Sequence, residues 1–76
     1  MHKEIEDYII DLDSKTSEEL CEYVRNYPNS SIHNLTTICV NAYEDFCRLL
    51  DKIAEVDKDL EMMITHDVMC NMAGIG

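Results

Sequence analysis

IHNLTTICVNAYEDFCRLLDKIAEVDKDLEMM, residues 32–63, is the stretch whose reading decides the fold. Taking every third and then fourth residue gives Ile32, Leu35, Cys39, Ala42, Phe46, Leu49, Ile53, Val56, Leu60 and Met63. All ten are apolar, the heptad pattern of a helix packed along one seam. A second flank, with Tyr43, Leu50 and Ile64 on one edge and Val40 and Ala54 on the other, widens the stripe enough for two packing partners. No Gly or Pro interrupts the chain between Pro28 and Gly74. The outer positions carry Glu44, Asp45, Arg48, Asp51, Lys52, Glu55, Lys58 and Asp59, with Glu44 and Arg48 spaced as an i, i+4 ion pair.

Upstream, Ile5, Tyr8, Ile9 and Leu12 share one face of an amphipathic helix over 3–12, and Glu4, Glu6 and Asp7 sit in its first turn. Thr16 and Glu19 have capping-box spacing and start a second helix over 17–27, striped with Leu20, Tyr23, Val24 and Tyr27. Pro28 is expected to end it, because the residue before a proline is pushed out of the helical region. Asn29-Ser30-Ser31 then reads as a turn, with either serine capping the third helix. Downstream, Asp67 interrupts the seam, Cys70 restores it, and Gly74 is a natural C-terminal stop, with Ile75 and Gly76 expected to fray.

Asp57 and Asp59 are both able to cap a new helix, but the heptad phase runs through Ile53, Val56, Leu60 and Met63 with no inserted residue. A continuous helix over 31–72, kinked at most near 56–59, is therefore expected. At ~1.5 Å rise per residue such a rod is ~60 Å long, beyond the reach of two short N-terminal helices. The expected fold class is all-α, a single domain over 1–76: a short N-terminal hairpin on a long C-terminal helix, its bundle completed by a homodimer. The alternative, a break near Asp57, gives a compact monomer.

Sixteen acids face six bases, a formal net charge of −10. Residues 1–31 and 32–76 each carry eight acids and three bases, so the acidity is not a tail. Direct binding to nucleic-acid phosphates needs clustered Lys and Arg and is not expected, nor is an anionic membrane. A basic partner protein would be attracted. Met1–Asp7 shows no signal-peptide pattern, no stretch resembles a membrane span, and a cytoplasmic location is expected, the host cytoplasm if a phage encodes the chain. In a reducing compartment Cys21, Cys39, Cys47 and Cys70, with no Cys-x-x-Cys, read as free thiols. The sequons at Asn29 and Asn34 then carry no meaning.

Nothing in the sequence makes a catalytic constellation. His66 and Cys70 share a helix face, but a structural zinc takes four ligands and no second pair is near in sequence. Glu19-x-x-Glu22 resembles half of the Mg²⁺ site of an all-α nucleotide hydrolase, without a facing acidic pair or basic residues for the phosphates. Neither a metal nor a cofactor is expected. Met62, Met63, Met69 and Met72 crowd the C-terminal end, where core packing is the commoner use and an adaptable docking surface the rarer. Core packing is likewise expected for most of the four tyrosines.

The expectation is a non-enzymatic, acidic interaction protein that occupies a basic nucleic-acid-binding surface of a larger protein. Its binding residues would be Asp7, Asp11, Asp13, Glu18, Glu19 and Glu22 on the hairpin and Glu44, Asp45, Asp51 and Glu55 on the long helix. Carboxylates ~5–6 Å apart on a helix imitate a phosphate track. In size and charge the chain is of the type that phages use against host nucleases and CRISPR complexes. Two other classes fit: a structural or regulatory helical oligomerisation module, and a small-molecule or nucleotide binder with the Mg²⁺ hydrolase as its enzymatic form.

Overall fold

A computed structural model describes residues 3–74, and all of its regular structure is helical. Helix α1 spans Lys3–Asp13, α2 Ser17–Asn26, α3 Pro28–Asn41, α4 Tyr43–Val56 and α5 Lys58–Met72. The two N-terminal helices lie where the periodicity places them. The long helix does not exist: residues 28–72 form three helices, and the molecule's greatest extent is 27 Å, less than half the length of the expected rod.

The two breaks within that stretch, and a third before it, have a common construction. Tyr27, Ala42 and Asp57 are single non-helical residues between helices, with φ of −131°, −149° and −147°. Each still donates its N–H to the carbonyl four residues back: Tyr27 to Tyr23, Ala42 to Ile38, Asp57 to Ile53. Each carbonyl accepts from four residues on, from Ser31, Phe46 and Glu61 respectively. One non-helical residue therefore redirects the helix axis without adding to the residue count, while its own N–H and carbonyl stay paired. That is why the heptad phase passes through undisturbed.

Only two of these hinges have a visible cause in sequence. Tyr27 precedes Pro28, which disfavours helical geometry at Tyr27. Pro28 itself opens α3 at the position where its missing N–H costs nothing. Asn29, Ser30 and Ser31 are accordingly the first turn of α3 and not a loop. Ser31 is buried, its hydroxyl donating to the Tyr27 carbonyl at 2.6 Å. At Asp57 the side chain accepts from the Leu60 N–H at 3.0 Å, a true N-cap, and its other oxygen meets Arg25 at 2.5 Å. Ala42 has no side-chain cap and no local signal.

Folding back lets the chain cover its own seam. Ile32, Leu35, Cys39, Phe46, Leu49, Ile53 and Leu60 are buried and Ala42 packs half-buried against them, while Val56 and Met63 turn outward. Off-seam Ile38, Ile64 and Val68 join the core, with Ile5, Ile9 and Leu12 from α1 and Leu20, Cys21 and Val24 from α2. Both α3 and α4 touch all four other helices, so the core lies around that pair. The length argument for a second copy falls with the rod. Of the flank, Ile64 is buried and Leu50 and Ala54 half-buried, but Tyr43 and Val40 are exposed. The methionines also reverse expectation: Met62, Met63, Met69 and Met72 are all exposed. So are Tyr8, Tyr27 and Tyr43, leaving only Tyr23 packed against the core.

At the C-terminus Gly74 adopts φ 73°, the left-handed geometry that suits glycine, after α5 ends. Ile75 and Gly76 lie outside the described residues. Among the described residues, no helix is long and apolar enough to cross a membrane.

The Asp57 hinge yields a direct expectation. Hydrogen bonds from the Leu60 backbone and then Arg25 hold its carboxyl below its ordinary value. A depressed carboxylate contributes stability that is present above its unfolded value and lost as pH falls through the folded one. Asp57→Ala should lower Tm at pH 7 by roughly 4–8 °C, as loss of a helix cap in a small domain does. The gap from wild type should narrow as pH falls below the ordinary carboxylate range and through the depressed folded value. Thermal melts across pH by circular dichroism test this; a gap that stays constant down to pH 2.5 would refute the linkage.

Candidate acidic interaction surface

The ten carboxylates singled out in sequence divide into those that hold the fold and those that face outward. Arg48 reaches from α4 to Asp13 at the end of α1 (3.3 Å) and to Asp45 one turn back (2.7 Å). Its partners are therefore not Glu44, as the i, i+4 spacing suggests. These carboxylates also raise the Arg48 pKa, fixing its charge. Lys52, one turn further along α4, donates its ammonium to the carbonyls of Asp13 (2.8 Å) and Lys15 (2.6 Å). Near the end of the same helix Glu55 accepts from the Ser17 hydroxyl at 3.0 Å. Arg48, Lys52 and Glu55 thus line the side of α4 that grips the α1–α2 connection.

Glu19 is likewise occupied. Its carboxylate accepts from the Thr16 N–H at 2.9 Å while the Thr16 hydroxyl accepts from the Glu19 N–H at 3.1 Å. Those hydrogen bonds hold its pKa below the ordinary value. The capping box expected at Thr16 is present, and it takes Glu19 away from Glu22 as a metal ligand. Asp13, Glu19, Asp45 and Glu55 are thus structural contacts first.

Asp7, Asp11, Glu18, Glu22, Glu44 and Asp51 remain outward, exposed and without an ion pair among the described residues. Asp7 with Asp11 and Glu18 with Glu22 are i, i+4 pairs, each two carboxylates ~6 Å apart on a helix surface. The contacts of α4 with Asp13, Lys15 and Ser17 bring the end of α1 and the start of α2 against one side of α4. Four of the six bases are engaged by the fold: Arg25 on Asp57, Arg48 on Asp13 and Asp45, Lys52 on backbone, and Lys15 over the Tyr23 ring at 5.4 Å. Helix α3, by contrast, contains no Asp, Glu, Lys or Arg.

The His66–Cys70 pair does come together, Sγ to Nε2 at 3.7 Å. Among the described residues no group of three His, Cys, Asp or Glu side chains is placed to hold a metal ion. All four cysteines are free thiols. Burial pushes the Cys21 thiol up, and Cys21 faces the Ile53 carbonyl at 3.6 Å as a core residue.

Two features escaped the sequence reading. Around His33 on α3, the side chains of Tyr8, Asn29, Asn34 and Thr37 line shallow polar clefts. Where α3, α4 and α5 converge, an apolar pocket is lined by four sulfur-bearing side chains, from Cys39, Cys47, Met69 and Met72. The spacing of those four residues follows no linear motif, so no local signal announces either feature. No family model, curated protein or solved structure matches the chain.

Proposed function

We propose that this is a non-enzymatic binding protein whose α1–α2–α4 surface competes with nucleic acid for a basic site on a larger protein. The carrying observation is the division of charge: four of the six bases are engaged inside the fold, while Asp7, Asp11, Glu18, Glu22, Glu44 and Asp51 face water without cationic partners among the described residues. A rigid scaffold that presents carboxylates in rows supplies the fixed negative pattern that a phosphate-binding groove recognises. Proteins of this type block nucleases and CRISPR complexes on behalf of phages, and that setting suits a chain this small.

The test starts with capture of a basic partner on tagged protein from host lysate, followed by competition with duplex DNA. Binding should collapse as salt rises from ~50 to ~500 mM and be displaced by the duplex. The quadruple variant D7N/D11N/E18Q/E22Q, which spares every structural carboxylate, should bind at least about tenfold more weakly with its melting curve intact. A partner held equally at both salt concentrations, or by the variant, would reject the proposal.

A second reading, self-association, is favoured by the uncharged face of α3. Two copies at −10 each repel through every other helix, whereas exposed Val40 and Tyr27 lie on or beside a helix with no like charges to oppose contact. Sedimentation at rising protein concentration distinguishes the two, because Val40→Glu should then shift the distribution to monomer.

A further inference from the structure

The pocket between α3, α4 and α5 has a volume of about 120 Å³ and a largely apolar lining that includes Phe46 and Val68. Four of its lining side chains carry sulfur: Cys39 from α3, Cys47 from α4, and Met69 and Met72 from α5. The Cys39 thiol already points at the Met72 sulfur, 3.4 Å away. No histidine and no carboxylate lines the pocket, and its only side-chain oxygens belong to Tyr43 and Thr65.

From this geometry we infer a binding site for a single soft monovalent metal ion, Cu(I), held by the thiolates of Cys39 and Cys47 with thioether ligation from Met72 and Met69. Thiolate and thioether donors in an apolar setting select Cu(I) over harder divalent ions, which want imidazole or oxygen. A four-coordinate zinc site would need two further hard or borderline ligands that this pocket does not offer. Each thiol that ligates gives its proton to solvent as its S–Cu bond forms, so the metal changes no oxidation state. Burial raises the Cys39 thiol, and a side-chain hydrogen bond to Cys47 raises the Tyr43 phenol. Met69 and Met72 are 63% and 50% exposed, leaving their flexible chains free to close over the ion. Three helices would then be tied at one corner.

The experiment is anaerobic competition for Cu(I) against the chromophoric chelator bicinchoninate, with ascorbate as reductant. Full-length protein should withdraw a single equivalent, and X-ray absorption should show a first shell of sulfur alone. Cys47→Ser and Met72→Leu, at half-buried and exposed positions, should each weaken binding by roughly 10–100-fold or more, since loss of even an outer-shell partner costs that much. Neither should alter the apo-protein's melting temperature by more than a few degrees. Cys70→Ser should bind as wild type. The inference is overturned if wild type leaves the chelator complex intact, or if Cys47→Ser and Met72→Leu bind undiminished. Nitrogen in the first shell together with a loss on Cys70→Ser would place the ion at His66 and Cys70 instead, and would equally overturn it.

Discussion

Leu49→Ala is expected to leave much of the protein unfolded at 25 °C. Leu49 is fully buried on α4, one of the two helices in contact with every other helix. Deleting a buried leucine to alanine costs about 2–5 kcal/mol, transfer and cavity combined. A single core in a chain of this size supplies only about 3–5 kcal/mol, so the substitution consumes most of it. Val56 is the informative comparison. It occupies the same heptad seam two positions on, yet is 45% exposed because it ends α4 at the Asp57 hinge. Val56→Ala should cost less than about 1 kcal/mol. Urea denaturation followed by circular dichroism measures both, and equal losses would restore the straight rod in which the two positions are equivalent.

The second large effect is expected at Lys52. Its ammonium joins α4 to the backbone of the α1–α2 connection, through the carbonyls of Asp13 and Lys15. Hydrogen bonds from charged donors contribute about 1.5–3 kcal/mol, and removing this donor takes it from the Asp13 carbonyl at the end of α1 and the Lys15 carbonyl in the connection. Lys52→Met keeps the apolar stem and removes the charge, so a loss of about 1.5–3 kcal/mol would report the polar contact alone. Hydrogen exchange should quicken across α1, which packs mainly on α3 and α4 and buries Ile5, Ile9 and Leu12, more than across α5. Uniform acceleration in all five helices would show instead that Lys52 stabilises the molecule as a whole.

The two substitutions probe different parts of one design. Leu49 sits where the chain folds back to bury its own stripe, and Lys52 sits where the N-terminal pair is fastened to that core. The fastening also uses Arg48 and Glu55, so the carboxylates of Asp13, Asp45 and Glu55 are engaged in contacts that hold the fold. Neutralising those three should disturb stability before binding. Neutralising Asp7, Asp11, Glu18 and Glu22 should disturb binding alone.

The all-helical class, the extents of α1 and α2, the capping box at Thr16, the stop at Gly74 and most of the buried seam were legible in the sequence, because periodicity and caps act over a few residues. The acidity was legible too, but which acids are free was not, since Arg48 chooses Asp13, 35 residues away, over Glu44 on its own helix. The hinges lay hidden for a related reason. A break made of one non-helical residue that keeps both of its own i to i+4 hydrogen bonds leaves the count of residues, and so the heptad phase, untouched. Ala42 in particular bends because a straight 42-residue helix would leave its stripe in water, a cost that exists only once the other helices are in place to remove it. Local chemistry thus determined what each segment is; the burial of one shared core decided where the chain turns, and with it which carboxylates and which sulfurs meet.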